Sequence, residues 1–193
     1  MNVAEVRANL SRYISVDMEE TERFLSYLKK KKIKNRAFLL KSGDVCGNFS
    51  LVETGCMMNY YKDQNETIHV LQFATKMWWT ADLNSYINQT QSEYFLRATT
   101  DTIVHQLSRE NLDKLLEDMP VFERYFRIIF QNSLIAHQKR IIENISETAE
   151  CRYMLFREKY PQVEQLVSQK YIASYLGITP EFLSKIRRNL ANK

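Results

Sequence analysis

The stretch of this 193-residue chain with the most specific chemistry runs from Gln169 to Arg188. Ile172, Leu176, Ile178, Leu183 and Ile186 are spaced to fill a small core between two crossing helices, and Ala173 is small where the second helix must approach closely. Gly177 falls at the turn, where a positive φ is cheap only for glycine. Thr179 is a good N-cap, Pro180 suits the first helical position, and Glu181 complements the dipole of the new helix. At about 100° per residue, Leu183, Ile186 and Leu190 share one face while Glu181, Ser184, Lys185 and Arg188 share the opposite one.

That polar face has the chemistry of a major-groove reader. Lys185 and Arg188 can reach guanine edges or phosphates, Glu181 can accept from cytosine, and Ser184 permits close approach. Lys170, Thr179 and Arg187 are candidates for phosphate contacts, with Pro180 opening the helix that enters the groove. The competing reading is that Glu181 and Lys185 are an ordinary i,i+4 surface pair in a merely structural hairpin.

Charge placement agrees with the first reading. The chain holds 27 Lys and Arg against 23 Asp and Glu. From Gln169 onward Lys170, Lys185, Arg187, Arg188 and Lys193 stand against Glu181 alone, so the whole +4 excess belongs to the tail and residues 1–168 balance to zero. A neutral body with a basic tail points to a polyanion partner at that end.

The elements that must position this motif change along the chain. Residues 2–34 read as helical, with Asp17 a candidate cap and the run Lys29 to Lys32 closing the segment as a solvated helix end. From about Ala37 to Leu107 the pattern shortens to strand-like runs. They are Ala37–Leu40, Ser50–Val52, Cys56–Tyr61, Thr67–Phe73, Tyr94–Ala98 and Thr102–Leu107, separated by turn residues such as Gly43-Asp44, Gly55 and Asp63-Gln64-Asn65. Such spacing implies a β-sandwich or roll. Ser108 caps a short helix through Leu116, and Pro120 stands where a long helix begins. Seven of the ten residues 121–130 are apolar or aromatic, too many for one face, so this helix needs contacts on two sides: the β-domain and a second subunit. Another helix covers about Glu147 to Tyr160.

Several classes are excluded by content. At 45% hydrophobic and 12% aromatic residues the chain can bury a sizeable core. No apolar run approaches the roughly 18 residues of a membrane span, and the start lacks an apolar signal core, so no membrane partner and a cytoplasmic protein are expected. Cys46, Cys56 and Cys151 are scattered and read as free thiols. His69, His105 and His137 lie more than 30 residues apart, so no metal or cofactor is expected. No nucleophile–base constellation or phosphate-cradling glycine loop stands out, so no catalytic residue and no enzyme activity are expected.

The order roll, long helix, terminal helix-turn-helix resembles the Crp/Fnr family of transcription regulators over nearly the whole length. The stretches that carry it are Phe38 to Asp44, Val52-Glu53-Thr54-Gly55, Phe95-Leu96-Arg97-Ala98 and, most specifically, Tyr171 to Arg187. The resemblance implies an α+β fold: an N-terminal jelly-roll of the cyclic-nucleotide-binding type with flanking helices over residues 1–118, a dimerisation helix over 119–146, and a helix-turn-helix domain over 147–193. Its implied partners are double-stranded DNA, a second copy of the chain, RNA polymerase and a small-molecule effector of unknown identity. The dimer stripe is placed on Phe122, Phe126, Ile129, Ser133 and Ala136. The effector pocket is degenerate, formed by Trp79, Ala81, Asp82, Leu83, Ser92 and Glu93. Where nucleotide-binding members offer Gly-Glu to the ribose and Arg-Ser to the phosphate, this chain has Ala81-Asp82 and Ser92-Glu93, so no tight cyclic AMP binding is expected. With five residues after Arg188, the wing after the recognition helix is reduced or absent. A second functional reading is a ligand-sensing module that controls a partner protein without binding DNA.

Overall fold

The structure, a computed structural model, describes residues 1–191; Asn192 and Lys193 lie outside the described residues, and with them the last charge of the basic tail and the end of the expected 147–193 domain. Two helices, α1 (Val3–Leu10) and α2 (Met18–Ser26), precede the strands. Asp17 starts α2 through a capping box, its side chain accepting from the Glu20 amide at 2.8 Å while Glu20 accepts from the Asp17 amide at 2.9 Å. Eight strands follow: β1 (Lys29–Ile33), β2 (Phe38–Leu40), β3 (Asn48–Thr54), β4 (Met57–Lys62), β5 (Ile68–Ala74), β6 (Trp79–Thr80), β7 (Tyr94–Ala98) and β8 (Thr102–Ser108), with α3 (Leu83–Asn88) inserted after β6. They form two antiparallel four-stranded sheets, ordered β1-β8-β3-β6 and β2-β7-β4-β5.

After the roll come α4 (Arg109–Asp118), the long α5 (Val121–Ser146), α6 (Ala149–Lys159), α7 (Val163–Leu166), α8 (Gln169–Leu176) and α9 (Pro180–Ala191). Ser108 caps α4 as expected, accepting from the Asn111 amide at 3.1 Å, and Pro120 stands at the N-cap of α5. Gly55 makes the β3–β4 turn at φ +84, where a Cβ would lie 2.6 Å from the Asp101 carbonyl oxygen, so the close approach of the β7–β8 turn requires glycine.

The lysine run departs from expectation. Lys29–Lys32 does not end a helix; it is most of β1, paired antiparallel with β8 in the register Lys29↔Gln106 to Ile33↔Thr102. Ile33 is its only buried residue, and β1 lies at the edge of its sheet, where lysines keep their heads in water and discourage a further strand from pairing. The short β6 and α3 also lie outside the strand-like and helical runs that the sequence pattern marks.

Two apolar clusters result. One lies between the sheets and the helices α1, α2, α4 and the first half of α5, with Phe24 stacked on Phe122 at 4.7 Å and Phe49 on Trp79 at 4.6 Å. The other joins Met58, Tyr60, Val70 and Phe73 of the second sheet to Tyr153, Phe156, Tyr160, Ile172, Tyr175 and Leu183 of the C-terminal helices.

On the first sheet, Glu53 meets His105 at 2.9 Å, Lys30 at 3.1 Å and the Met1 ammonium at 3.1 Å. Burial alone would raise its pKa, but the hydrogen bonds with His105, Lys30 and the Met1 ammonium outweigh that and lower it from 4.5 to about 2. A depressed carboxyl pKa gives stability that is present above the unfolded value and lost as pH falls from about 4.5 toward 2. Urea midpoints of the wild-type protein should therefore fall across that window, and Glu53→Gln should be less stable at neutral pH and flatten that part of the profile. Parallel profiles for the two proteins would disprove this role.

Candidate nucleic-acid interface and effector region

The helix-turn-helix is built as the sequence predicts. Gly177 ends α8 in the left-handed conformation at φ +67, and the Ile178 amide returns to the Ala173 carbonyl at 3.1 Å. Thr179 caps α9, its hydroxyl accepting from the Phe182 amide at 3.2 Å. Leu183 and Ile186 are buried against Ile172, Ala173 and Leu176. Pro180, Glu181, Ser184, Lys185 and Arg188 are exposed along the outer face of α9, and Lys170 is exposed in the first turn of α8. Glu181 and Lys185 form no ion pair among the described residues, and the carboxylate and the ammonium are both exposed. The Ser184 hydroxyl donates to the Pro180 carbonyl at 2.9 Å. Arg187 alone is turned inward: it is half-buried and lies 4.0 Å from Glu164, which also pairs with Arg157 at 3.4 Å and accepts from the Tyr153 hydroxyl. Burial and that carboxylate push the Tyr153 phenol up to about 12. The sequence placed Arg187 among the phosphate contacts because Glu164, 23 positions away, is outside any helical period.

The region expected to hold an effector is filled by its own side chains. Trp79 is buried on Phe49 and donates from Nε1 to the Tyr125 hydroxyl at 3.0 Å. The Ala81 carbonyl accepts from Asn59 at 3.5 Å. Asp82 is 4% exposed and its carboxylate is committed inside the protein, capping α3 at the Ser85 amide (3.1 Å) and accepting from the Ser92 hydroxyl at 2.7 Å. Leu83 is half-buried and Glu93 is exposed. The two halves of the expected cassette thus meet each other across an Asp82–Ser92 hydrogen bond.

The dimer stripe needs correction. Phe122 and Phe126 are 0% and 4% exposed, packed in the protein's own core with Ile129 half-buried beside them, and Ser133 and Ala136 continue down the same inner face. The apolar residues that α5 leaves open lie on the opposite side: Leu134, Ile135, Ile141, Ile142 and Ile145, from 49% to 81% exposed. The aromatic stripe in the sequence marks the core face, and the aliphatic stripe half a turn away is the unpartnered one.

Two side chains seat the helix-turn-helix on the roll, and neither carries a sequence signal. Ser174 on α8 accepts from the Val70 amide at 3.0 Å and donates to the Ile68 carbonyl. Arg140 on α5 donates to the carbonyls of Leu71, Val70 (3.0 Å) and Tyr175 (2.9 Å), with its guanidinium 4.0 Å from the Tyr175 ring centroid. Around them Phe73, Phe156, Tyr160 and Tyr175 pack edge to face or tilted, and burial beside Tyr175 holds the Tyr160 phenol well above its ordinary range.

This arrangement of two sheets, long helix and helix-turn-helix recurs in solved structures. FixK2 from Bradyrhizobium japonicum matches over 86% of this chain and 85% of its own at a TM-score of 0.76 and 16% identity. CooA from Carboxydothermus hydrogenoformans matches over 100% of this chain and 85% of its own at 0.72 and 15% identity. CLP of Xanthomonas campestris, described as a c-di-GMP responsive global regulator, matches over 91% of this chain and 92% of its own at 0.71 and 17% identity. All three are Crp/Fnr regulators. The fold of this chain is therefore that of the Crp/Fnr regulators, with a roll of the cyclic-nucleotide-binding type followed by a helix-turn-helix. No protein-family model and no curated protein sequence matches the chain.

Removing the Arg140 donors should loosen the seat. Arg140→Met keeps the apolar stem, and hydrogen bonds from a charged donor are worth about 1.5–3 kcal/mol. Amides of β5 and α8 should then exchange roughly 10- to 100-fold faster, while those of β3 and β8 stay unchanged. Uniform acceleration across both sheets would mean that Arg140 acts on global stability alone.

Proposed function

We propose that this protein is a sequence-specific DNA-binding transcription regulator of the Crp/Fnr type that acts as a homodimer in the cytoplasm and catalyses no reaction. Residues 1–118 are the sensor roll, 119–146 the dimerisation helix and 147–193 the DNA-binding domain. The single observation that carries the reading is the outer face of α9, where Glu181, Ser184, Lys185 and Arg188 are exposed on a helix whose opposite face is buried. Such a face presents donors and an acceptor to base edges while Lys170 and the capped start at Thr179 lie toward the phosphates. Arg187 is assigned to the Glu164 ion pair in place of a phosphate contact. RNA polymerase is the further partner such a regulator implies.

Dimerisation is assigned to the aliphatic face of α5. Gln131, Leu134, Gln138, Ile141 and Ile145 follow each other at spacings of three and four, with Ile135 and Ile142 alongside, which is the pattern of a two-helix seam. Five exposed Leu and Ile side chains on one face are more than a surface helix of a monomer leaves open. Two such chains place two α9 helices in successive major grooves, so the operator is a pseudo-palindrome with half-sites about one helical turn apart. The effector is unknown and is not cyclic AMP, because Asp82 and Ser92 satisfy each other where a nucleotide would need them.

Selection of bound sequences from random DNA should yield such a palindrome. Lys185→Ala should weaken that site by roughly 1–3 kcal/mol and relax one base position, read by titration against specific and random duplexes. No binding at any salt concentration would favour a sensor that controls a partner protein without DNA. Ile142→Glu should shift the mass in solution from dimer to monomer, as light scattering would show; an unchanged dimer would remove α5 from the interface.

A further inference from the structure

Three cations from distant parts of the chain line the cleft where the roll meets α8. The cleft there is about 420 Å³ and is lined by Arg36 of the β1–β2 turn, Arg97 of β7, and Lys170 and Tyr171 of α8. Among the described residues no carboxylate side chain lines it, and Met58 and Leu166 provide an apolar wall. The carboxylate at its rim, Asp101 of the β7–β8 turn, accepts from the amide of the lining residue Asn35 at 2.7 Å and is paired with Lys34 at 3.5 Å.

Arg36 is held in place by its backbone. It sits at φ +66, a conformation that costs a non-glycine residue on the order of 1 kcal/mol. Its amide bonds to the Ala98 carbonyl at 3.0 Å and its carbonyl accepts from Arg97 Nε at 3.0 Å. Arg97 Nη1 reaches the Tyr171 hydroxyl at 3.5 Å, the one hydrogen bond across the cleft among the described residues. A guanidinium has five N–H donors, so most of the Arg97 donors stay uncommitted. Ser168 makes no side-chain cap to α8, which leaves the positive end of that helix dipole beside Lys170. Like charges gathered in a partly enclosed space repel one another unless an anion joins them.

We propose that this cleft binds a small phosphate-bearing molecule that bridges Arg36 and Arg97 of the roll to Lys170 of the helix-turn-helix. The volume is in the range of small-ligand sites, and planar forks such as Arg97 match phosphate oxygens. The ligand would hold the start of α8 against β7, whereas Arg140 meets Tyr175 near the end of that helix, so its occupancy would stiffen the junction between the two halves. This is separate from the collapsed Asp82–Ser92 region, and it stands whether or not α9 reads DNA.

The test uses the full chain without DNA, with inorganic pyrophosphate as the probe at constant ionic strength set by chloride. Pyrophosphate at about tenfold its Kd should raise Tm by about 3 °C or more, with a saturable isotherm at one site per chain. Arg36→Gln and Lys170→Gln are both exposed changes, and each should weaken pyrophosphate at least tenfold while leaving Tm without ligand within about 2 °C. Absence of a Tm response, or a response equal in wild type and both variants, would overturn the proposal. DNA supplies the same phosphate chemistry. Loss of DNA affinity in both variants with no pyrophosphate response would also overturn it, and would assign the cleft to the DNA backbone.

Discussion

The free edge of β5 is the constraint on which the arrangement of this molecule depends. β5 closes the second sheet, so one row of its backbone groups has no strand to pair with. An uncovered edge of this kind recruits other chains. Here the row is satisfied from outside the sheet: Ser174 takes the Val70 amide and the Ile68 carbonyl, and Arg140 takes the carbonyls of Val70 and Leu71. The side chains of the same strand reinforce the seat, because Val70 and Phe73 are buried under Phe156, Tyr160 and Tyr175. Each neutral hydrogen bond contributes only about 1 kcal/mol, but leaving a buried partner unpaired costs more. The helix-turn-helix is thus the missing neighbour of β5, and its position relative to the roll follows from sheet chemistry.

A second constraint acts along α5. Its first turns carry Phe122, Tyr125 and Phe126, which complete the core begun by Phe24 and Trp79, so the helix is anchored by aromatic packing at one end. Beyond Phe130 the aromatic packing ends, and the inner face passes to the smaller Ser133 and Ala136 and then to Arg140, which meets backbone carbonyls of β5 and α8. The outer face does the reverse, gaining Leu134, Ile141 and Ile145 where the inner face loses its aromatics. One helix therefore exchanges its apolar side halfway along, which is why the apolar pattern read over its full length has no single face.

How much of this was legible in the sequence depended on how local the cause was. The helix-turn-helix was readable almost residue by residue, since Gly177, Thr179 and Pro180 act on their own backbone and the core spacing repeats within two helices. Six of the eight strands were readable from β-branched and aromatic runs. β1 was not, because lysine favours helices in isolation and only the pairing with β8 makes Lys29–Ile33 a strand. β6 is two residues long and is defined by β3 alone. Periodicity revealed that α5 has more than one apolar stripe but carries no information on which stripe the chain's own core consumes. Arg187 and Arg140 show the same limit in charged residues: one is withdrawn by Glu164 and the other recruited by β5, both through contacts distant in sequence.

These constraints meet at one helical turn. Arg140 is followed directly by Ile141 and Ile142, so the residue that ties the roll to the helix-turn-helix and the residues open to a partner are fixed to one another by helix geometry. A rotation of α5 that changed the exposed seam would carry the guanidinium away from carbonyls that it meets at 2.9 to 3.0 Å, and hydrogen bonds weaken steeply with misalignment. Association through the proposed seam would therefore be coupled to the seating of the helix-turn-helix. A ligand on the roll would influence α9 only by the difference in its affinity between two settings of this helix. With the Asp82–Ser92 region closed on itself, the junction that Arg140, β5 and α8 form is where such a difference would reach the helix-turn-helix, because displacement there breaks hydrogen bonds and uncovers the aromatic seat.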